Sequence, residues 1–284
     1  MTPDSGDGTG PRTIRLLQVT DTHLFADESG ELYGVHTWKS FRAVLDAARE
    51  IAHPGYDGIL VTGDVAEDGR RETYERFREE MSSWGVPVLC IPGNHENREL
   101  MAEILGRPPF QYAGARDFGD WRVVMLESHV PGKDHGEISE SELARLEREL
   151  STASDSHVLV CVHHQVMPVG SPWLDGVGLR NHETVLALLE RHDNVRGVLF
   201  GHVHQASDRL HGELHVMSTP STCAQFTPFT RTAVMDLRPP GFRWLELTPT
   251  GGINTGVEWL EHWEVTERPP DSRREVDHDP NVVL

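Results

Sequence analysis

Short runs of branched aliphatic residues alternate with longer amphipathic stretches in the first hundred residues of the chain. The apolar runs predict strands at 14–19, 59–62 and 88–91, and the apolar spacing between them predicts helices at 38–51 and 72–84. Strands that alternate with helices pair in parallel through right-handed crossovers. Two further apolar runs, at 158–162 and 198–200, are of the same buried type. The pattern predicts an α/β protein.

The pattern of apolar positions changes in the second half of the chain. Ser139 and Glu142 have the spacing of a capping box, and leucines on one face follow them, which predicts a helix starting at Ser139. Another helix is predicted at 181–191. Beyond residue 210 the pattern predicts strands at 213–218, 232–237, 242–247 and 257–263. We expect these late strands to form an antiparallel sheet that caps the fold.

Each of the five early and central apolar runs is followed directly by a segment rich in Asp, Asn and His. Side chains just past strand ends are where open α/β sheets place their chemistry, so we expect these segments to converge. A cut between them would divide the site, which predicts one catalytic domain, 13–266, between disordered tails at 1–12 and 267–284. The segments are Asp21-Thr22-His23, Gly63-Asp64, Gly93-Asn94-His95-Glu96, His163-His164 and Gly201-His202-Val203-His204.

The residue types in these segments indicate a metal centre. Imidazoles, carboxylates and one amide oxygen are present, and no thiolate is among them. Asp21 and His23 are two residues apart, so both side chains lie on the same side of an extended segment, and His202 and His204 have the same spacing. A glycine before Asp64, Asn94 and His202 permits a tight turn at each strand end.

This ordered set of motifs, together with Gly69 after four further residues beyond Asp64, resembles the signature of the calcineurin-like metallophosphoesterase superfamily over about residues 14–205. The resemblance implies a layered α/β fold in which mixed β-sheets are sandwiched by helices (αββα). The surrounding sequence is also similar to the class III cyclic nucleotide phosphodiesterases, the bacterial 3',5'-cyclic-AMP phosphodiesterases. The segments that carry this second resemblance are 20–26, 34–38, 173–175, 179–181, 201–205 and 219–223.

The resemblance implies two metal sites that share one carboxylate. One ion would be bound by Asp21, His23, Asp64 and His204, and the other by Asp64, Asn94, His163 and His202. A bridging carboxylate holds two ions about 3.5 to 4 Å apart, where both polarise one phosphoryl group. The family implies iron or manganese, and oxygen and imidazole ligands also accept zinc or cobalt. His164 is left out of the predicted ligands, as a residue that either supports the ligands from behind or belongs to the core.

His95 is adjacent to a ligand and, by the resemblance, faces the substrate. A hydroxide between the metals would attack phosphorus, and His95 would protonate the leaving 3'-oxygen, to give the 5'-monophosphate. Glu96 departs from the commoner Asp, and we expect it to lie away from the metals, orienting His95. Asp64, Asn94 and His95 are the predicted catalytic residues. The predicted substrate-binding residues are His23, Asp64, Asn94, His95 and His204.

Other functions are compatible with the same motifs. A broader phosphodiesterase would act on 2',3'-cyclic nucleotides, glycerophosphodiesters or phospholipid headgroup esters, because fold does not fix substrate. A scaffold that has lost catalysis would lack a ligand or His95, and all are present. A nuclease is disfavoured by the formal net charge of -19, since nucleic-acid binders carry a basic face. His36, Trp173, Arg180 and Thr222 are candidates for a nucleoside pocket, and packing explains each of them equally well.

Composition bounds the environment and the partners. No apolar stretch approaches the length of a membrane helix, and residues 1–12 lack the apolar core of a signal peptide, so we expect a cytoplasmic protein. The acidic charge favours a small anionic substrate over a long one, with no nucleic-acid or membrane partner, and the resemblance implies that this substrate is a cyclic nucleotide. The oligomeric state, monomer or homodimer, stays open. Cys90, Cys161 and Cys223 are predicted to be reduced structural thiols.

Overall fold

A computed structural model of the chain describes residues 12–261 and residue 263. Apart from residue 12, the predicted tails lie outside the described residues. The helices are α1 Thr37–Ile51, α2 Arg71–Ser82, α3 Arg98–Leu105, α4 Glu140–Thr152, α5 Pro172–Asp175 and α6 His182–Leu189. The strands are β1 Ile14–Val19, β2 Glu31–Leu32, β3 Val35–His36, β4 Gly58–Val61, β5 Val88–Cys90, β6 Phe110–Tyr112, β7 Gly114–Phe118, β8 Trp121–Leu126, β9 His157–Val162, β10 Val195–Phe200, β11 Ser207–His211, β12 Leu214–Ser218, β13 Gln225–Phe226, β14 Met235–Asp236, β15 Gly241–Leu247 and β16 Ile253–Trp259.

The first large sheet has the strand order β16-β15-β1-β4-β5-β6. The strands β1, β4, β5 and β6 are parallel neighbours, as the alternation of strands and helices predicts, and β15 and β16 add antiparallel strands at one edge. Successive side chains of a strand point to opposite faces. Leu17 and Val19 therefore pack in the cluster that includes α1, α2 and α3, while Leu16 faces the other sheet.

The second large sheet has the strand order β11-β12-β10-β9-β8-β7. Its four central strands are parallel, and β7 and β11 pair antiparallel at the edges. Helices α4 and α6 cover the outer face through residues such as Leu146 and Val185. The two sheets pack face to face through an apolar layer that includes Leu60, Leu159 and Leu245. The predicted α/β class and αββα layering are confirmed.

The prediction that the late strands form one antiparallel sheet is wrong. Strands β15 and β16 join the first sheet, whereas β12 pairs in parallel with β10 in the second sheet. The predicted strand 257–263 begins earlier, as Ile253–Trp259, because this edge strand is only partly buried and lacks a clear alternation. The predicted 232–237 strand is reduced to Met235–Asp236. Local periodicity identifies a strand without identifying its partner.

The helix predicted from Ser139 begins there, with half of a capping box. The Ser139 hydroxyl accepts a hydrogen bond from the Glu142 backbone N–H at 3.2 Å. The Glu142 carboxylate does not return to the backbone of Ser139. It instead accepts from the Glu127 N–H at 3.2 Å and pairs with Arg145 at 2.7 Å. The capping residue Ser139 is therefore predictable from sequence. The partner of the Glu142 carboxylate is not, because it depends on the end of β8 lying beside the helix.

A cluster of buried polar side chains connects the two sheets beside the carboxyl ends of their strands. The Gln18 amide donates to the Thr62 hydroxyl at 2.8 Å and to the Phe200 carbonyl at 3.3 Å, so it links β1, β4 and β10. The Thr219 hydroxyl donates to Gln18 and accepts from the guanidinium of Arg243 at 3.2 Å. Losing one buried partner costs about 1 to 3 kcal/mol. These hydrogen bonds therefore stabilise the contact between the two sheets.

The three cysteines are buried and unbridged, which agrees with the prediction of structural thiols. Among the described residues, no helix combines the length and the hydropathy needed to cross a membrane.

Candidate metal centre

The carboxyl ends of β1, β4 and β5 in one sheet meet those of β9 and β10 in the other. The two sheets are joined directly at this place, because the His202 N–H donates to both oxygens of Asp21, at 3.1 and 3.0 Å. Asp21 is itself fully buried. The five predicted segments therefore converge on one site, although they come from two sheets instead of one.

Five of the predicted metal-site residues share an uncommon backbone conformation. A non-glycine residue with positive φ is rare, and the favourable case is an isolated residue in the left-handed region. Each of these residues lies two to four positions after the end of a strand, so the left-handed conformation occurs where the chain turns into the site. The residues and their φ values are Asp21 53°, His23 46°, Asp64 51°, His202 64° and His204 49°.

The glycines before the ligand segments are needed chiefly because there is no room for a side chain. A Cβ atom on Gly93 would collide with the Asp64 carboxylate and lie 2.6 Å from the His163 ring. A Cβ atom on Gly201 would collide with Thr20 and lie 2.6 Å from Asp21. Gly63 also has φ 103°, so its conformation disfavours any other residue. The prediction of a tight turn therefore applies to Gly63. At Gly93 and Gly201 glycine is needed because neighbouring atoms lie too close for a Cβ atom.

The imidazoles of His23 and His204 face each other with their Nε2 atoms 3.1 Å apart. His23 Nδ1 donates to the Glu67 carboxylate at 2.9 Å, and His204 Nδ1 donates to the Ala224 carbonyl at 2.7 Å. Because both acceptors lack a proton, each Nδ1 carries a hydrogen, and in the neutral form of each imidazole Nε2 presents a lone pair. Two lone pairs at this distance repel each other unless a cation lies beside them.

A second set of donors lies next to the first. His163 Nδ1 donates to the Thr62 carbonyl at 2.7 Å, and its Nε2 lies 3.4 Å from Asp64 Oδ2 and 3.1 Å from Asn94 Oδ1. His202 Nε2 is buried and has no hydrogen-bond partner among the described residues. A buried polar atom without a partner requires an explanation, and cation binding supplies one.

The charges at this site are those of a cation-binding pocket. Burial raises the pKa of Asp64, but the neighbouring imidazoles, His163 first, hold it well below its usual range. Burial and the positive charge of His163 lower the pKa of His202 to about 3, so His202 is neutral. Burial opposes protonation of His163, yet Asp64 raises its pKa to about 9. A proton and a metal ion therefore compete at His163.

The donor set fits two metal ions. Within the described part of the chain, Asp21, His23 and His204 place donor atoms within 4.8 Å of one another, and so do Asp21, Asp64 and His163. Asn94 and His202 adjoin the second set through His163. Carboxylate, amide and imidazole donors suit first-row transition metals. All seven predicted ligands, Asp21, His23, Asp64, Asn94, His163, His202 and His204, are brought together.

His164 also lies within donor distance of His163 and His202, but it is used otherwise. Its Nε2 donates to the Asp134 carbonyl at 3.1 Å, and its Nδ1 lies 2.8 Å from the Ser128 hydroxyl. Both ring nitrogens are thus occupied by the protein. His164 therefore stays outside the proposed ligand set.

Glu67 is absent from the residues that the sequence pattern singles out, yet it holds two site histidines at once. Its Oε2 atom accepts from His23 Nδ1 and from His95 Nδ1, each at 2.9 Å. Burial raises the pKa of Glu67, but the hydrogen bonds from these two imidazoles hold it well below its usual range, so it is ionised. The available signal is an acidic residue three positions after Asp64, in the same strand-end segment.

His95 lies at the open side of the site. Its side chain is 38% exposed, and its backbone N–H donates to Asp64 Oδ1 at 3.0 Å. Burial opposes its charge, but the Asp64 and Glu67 carboxylates raise the pKa of His95 to about 10. His95 therefore holds a proton next to the donor set and in contact with solvent.

Glu96 contacts backbone N–H groups and not His95, the residue that it is expected to orient. Its carboxylate does not bond to His95; it accepts backbone N–H groups from Asp64, Val65, Ala66 and Gly93, at 2.5 to 3.1 Å. Glu96 is buried. It therefore ties together the two loops that carry Asp64 and Asn94, and the orientation of His95 comes from Glu67.

Residues 14–206 match the calcineurin-like phosphoesterase family, and the chain belongs to that family. It is 40% identical over 252 residues to the 3',5'-cyclic adenosine monophosphate phosphodiesterase CpdA of Haemophilus influenzae, covering 88% of this chain and 92% of that protein. It is 39% identical to the protein of the same name from Escherichia coli, covering 88% of this chain and 91% of that protein. The match extends well beyond the metal motifs.

The fold is also that of a solved dimetal phosphatase from Danio rerio. The TM-score is 0.62, and the superposition covers 87% of this chain and 99% of that chain. Sequence identity is only 16%, so this likeness supports the layered fold alone.

Proposed function

We propose that this protein is a metal-dependent phosphodiesterase that hydrolyses 3',5'-cyclic AMP to 5'-AMP. The observation that carries the proposal is the approach of the Nε2 atoms of His23 and His204 to 3.1 Å, beside the buried Asp64 carboxylate. Such an arrangement is stable with a cation between the groups. The similarity to the two CpdA proteins supports the choice of substrate.

The proposed ligands are those implied by the motifs, with Asp64 shared between the two sites. Asp21, His23, Asp64 and His204 would bind one ion, and Asp64, Asn94, His163 and His202 the other. Iron or manganese is the proposed metal, with zinc and cobalt as substitutes, because the donors are oxygen and imidazole nitrogen. Metal ions held there would act as Lewis acids toward phosphoryl oxygens and supply an activated water nucleophile.

The residues of the chain have separate tasks in this proposal. His95 holds the proton that the departing ribose 3'-oxygen needs, because that oxygen is a poor alkoxide leaving group. Glu67 orients His95 and His23 together, and Glu96 fixes the loops that carry Asp64 and Asn94. Substrate contacts are proposed for His23, Asp64, Asn94, His95 and His204. A cytoplasmic location, a small-molecule partner and a monomer or homodimer remain predictions.

Metal removal tests the proposal directly. We expect the purified protein to contain two metal ions per chain by elemental analysis and to prefer 3',5'-cyclic AMP in a panel with 2',3'-cyclic AMP and a glycerophosphodiester. Chelation is expected to lower kcat/KM by about 100-fold or more, with recovery on adding Mn²⁺ or Fe²⁺. Activity unchanged by chelation would contradict the mechanism. A preference for the 2',3'-cyclic substrate would instead favour the broader phosphodiesterase.

Replacement of Glu67 by glutamine is expected to lower kcat/KM for cyclic AMP by about 10- to 100-fold, the usual effect of removing a residue that orients a metal-site histidine. The variant loses the charged acceptor of His23 and His95 while the shape is retained. The matched control is Glu190→Gln, because Glu190 also pairs with a histidine, His211, at 3.0 Å but is half exposed. Equal activities of the two variants would remove Glu67 from the proposed mechanism.

A further inference from the structure

Three aromatic side chains form a continuous wall beside the metal centre. The rings of Phe226 and His204 are 4.8 Å apart between centroids and are tilted by 33° to each other. Phe226 also contacts Trp173 at 5.0 Å and Tyr33 at 5.8 Å, both nearly edge to face. Phe226 itself is buried, whereas Tyr33 is 44% exposed. The wall formed by Tyr33, Phe226 and Trp173 therefore runs from a proposed metal ligand to solvent. None of the metal-binding or catalytic roles proposed above involves these three residues.

Tyr33 stands at a position that does not suit its side chain. It is the first residue of a two-residue turn between β2 and β3, in which Leu32 pairs with Val35. Tyr33 has φ 51° and Gly34 has φ 81°, the positive pair of a type I′ turn. Asparagine, aspartate and glycine are favoured at the first position, and a bulky aromatic residue is strained there. Turn formation therefore does not explain a tyrosine at this position.

The turn is held in place next to His204. Leu32 and Val35, on either side of the turn, pack in one small cluster with Cys223 and Ala224. The Ala224 carbonyl is the acceptor for His204 Nδ1. The segment that fixes a proposed metal ligand thus also fixes the hairpin that presents Tyr33. The distance between the exposed ring and the metal centre is set by this shared segment.

We propose that the aromatic wall, with Tyr33 at its exposed end, is the surface on which the purine base of the substrate stacks. This inference rests on the proposed function, because it places a cyclic nucleotide with its phosphate at the metal centre. The base of such a substrate is one ribose away from phosphorus, and the wall begins at His204. Base–aromatic stacking requires only an accessible π-face and tolerates different bases. Tyr33 is therefore a residue that determines substrate affinity without taking part in the chemistry.

The test compares ligands that have a base with ligands that lack one. Tyr33→Asn is expected to raise KM for cyclic AMP about tenfold, the loss of one stacked base, with kcat changed less than about twofold. Inhibition by adenosine and 5'-AMP is expected to weaken by a similar factor, while inhibition by ribose 5-phosphate stays the same. Tyr33→Phe, which keeps a ring, is expected to behave as the wild type.

A second readout separates this role from a structural one. Because asparagine suits the type I′ turn, Tyr33→Asn is expected to unfold at the same temperature as the wild type or at a higher one. Leu210→Ala, which truncates an apolar side chain that is 74% exposed on edge strand β11, is the control and should leave KM unchanged. Unchanged KM and unchanged adenosine inhibition in Tyr33→Asn would overturn the inference.

The outcome also distinguishes the two proposals. A wild-type protein that does not hydrolyse cyclic AMP contradicts the proposed function, whatever the Tyr33 variants do. A wild-type protein that hydrolyses cyclic AMP, together with a Tyr33→Asn variant of normal KM, contradicts only the stacking surface.

Discussion

Replacing Asp64 by asparagine is expected to lower kcat/KM for cyclic AMP by about 10³-fold or more and to reduce the bound metal to about one ion per chain. The loss of one of two Lewis acids removes several kcal/mol of transition-state stabilisation, at about 1.36 kcal/mol for each tenfold change in rate. Asp64 is central to the donor set, because its Oδ2 lies 3.4 Å from His163 Nε2 and 3.8 Å from His23 Nε2.

The measurement combines steady-state kinetics with elemental analysis on the same preparation. The control is Asp46→Asn, which removes a carboxylate that is 73% exposed on helix α1 and pairs only with Arg49 among the ion pairs of the described residues. Circular dichroism establishes that both variants are folded. An Asp64→Asn variant that retained two metal ions and more than a tenth of the activity would show that this carboxylate is not shared between the sites.

Replacement of His95 by glutamine is expected to reduce kcat for cyclic AMP by about 10²- to 10⁴-fold, the range for loss of a general acid. The effect should depend on the leaving group. Bis(p-nitrophenyl) phosphate releases a stable phenolate that needs no proton, so its hydrolysis is expected to fall by less than about tenfold. Metal content should not change, because His95 is proposed as a proton donor and not as a ligand.

His211→Gln is the matched control for this experiment. His211 and His95 each have a side chain that is 38% exposed, and each pairs with a glutamate, at 3.0 and 2.9 Å. Each substitution therefore removes a partly exposed imidazole that pairs with a glutamate, but only His95 lies beside the metal centre, where its partner Glu67 is buried. Equal losses on both substrates in His95→Gln, or loss of metal, would assign His95 a ligand role in place of proton transfer.

Much of the fold is predictable because its central strands are buried on both faces. Strand β1 is predicted as 14–19 and is Ile14–Val19, since six consecutive residues of mostly apolar character leave little choice. The predicted bounds of strand β16 are wrong because the strand lies at an edge and is only partly buried. The early parallel order follows from alternation with helices, whereas the partner of β12 depends on contacts with β10 that periodicity does not encode.

The candidate site, like the fold, has features that the local sequence predicts and features that depend on contacts between distant residues. The residue types of Asp21, His23 and Asp64 and their places after strands are enough to indicate metal binding. The role expected for Glu96 is wrong, since this acidic residue next to His95 in sequence points instead at backbone N–H groups, among them that of Asp64. Glu67, which does orient His95, is 28 positions away from it in sequence, and the fold brings the two within 2.9 Å.

The sequence by itself determined which residue types stand at the ends of the buried strands, because strand formation and ligand chemistry depend on neighbouring residues. The tertiary structure alone decided how the two sheets meet, which acceptors the Nδ1 atoms of His23 and His204 contact, and that Glu67 serves two histidines. It also decided that Tyr33 lies near His204, with Phe226 between them. These features depend on contacts between residues far apart in the chain, and such contacts exist only once the two sheets have packed face to face.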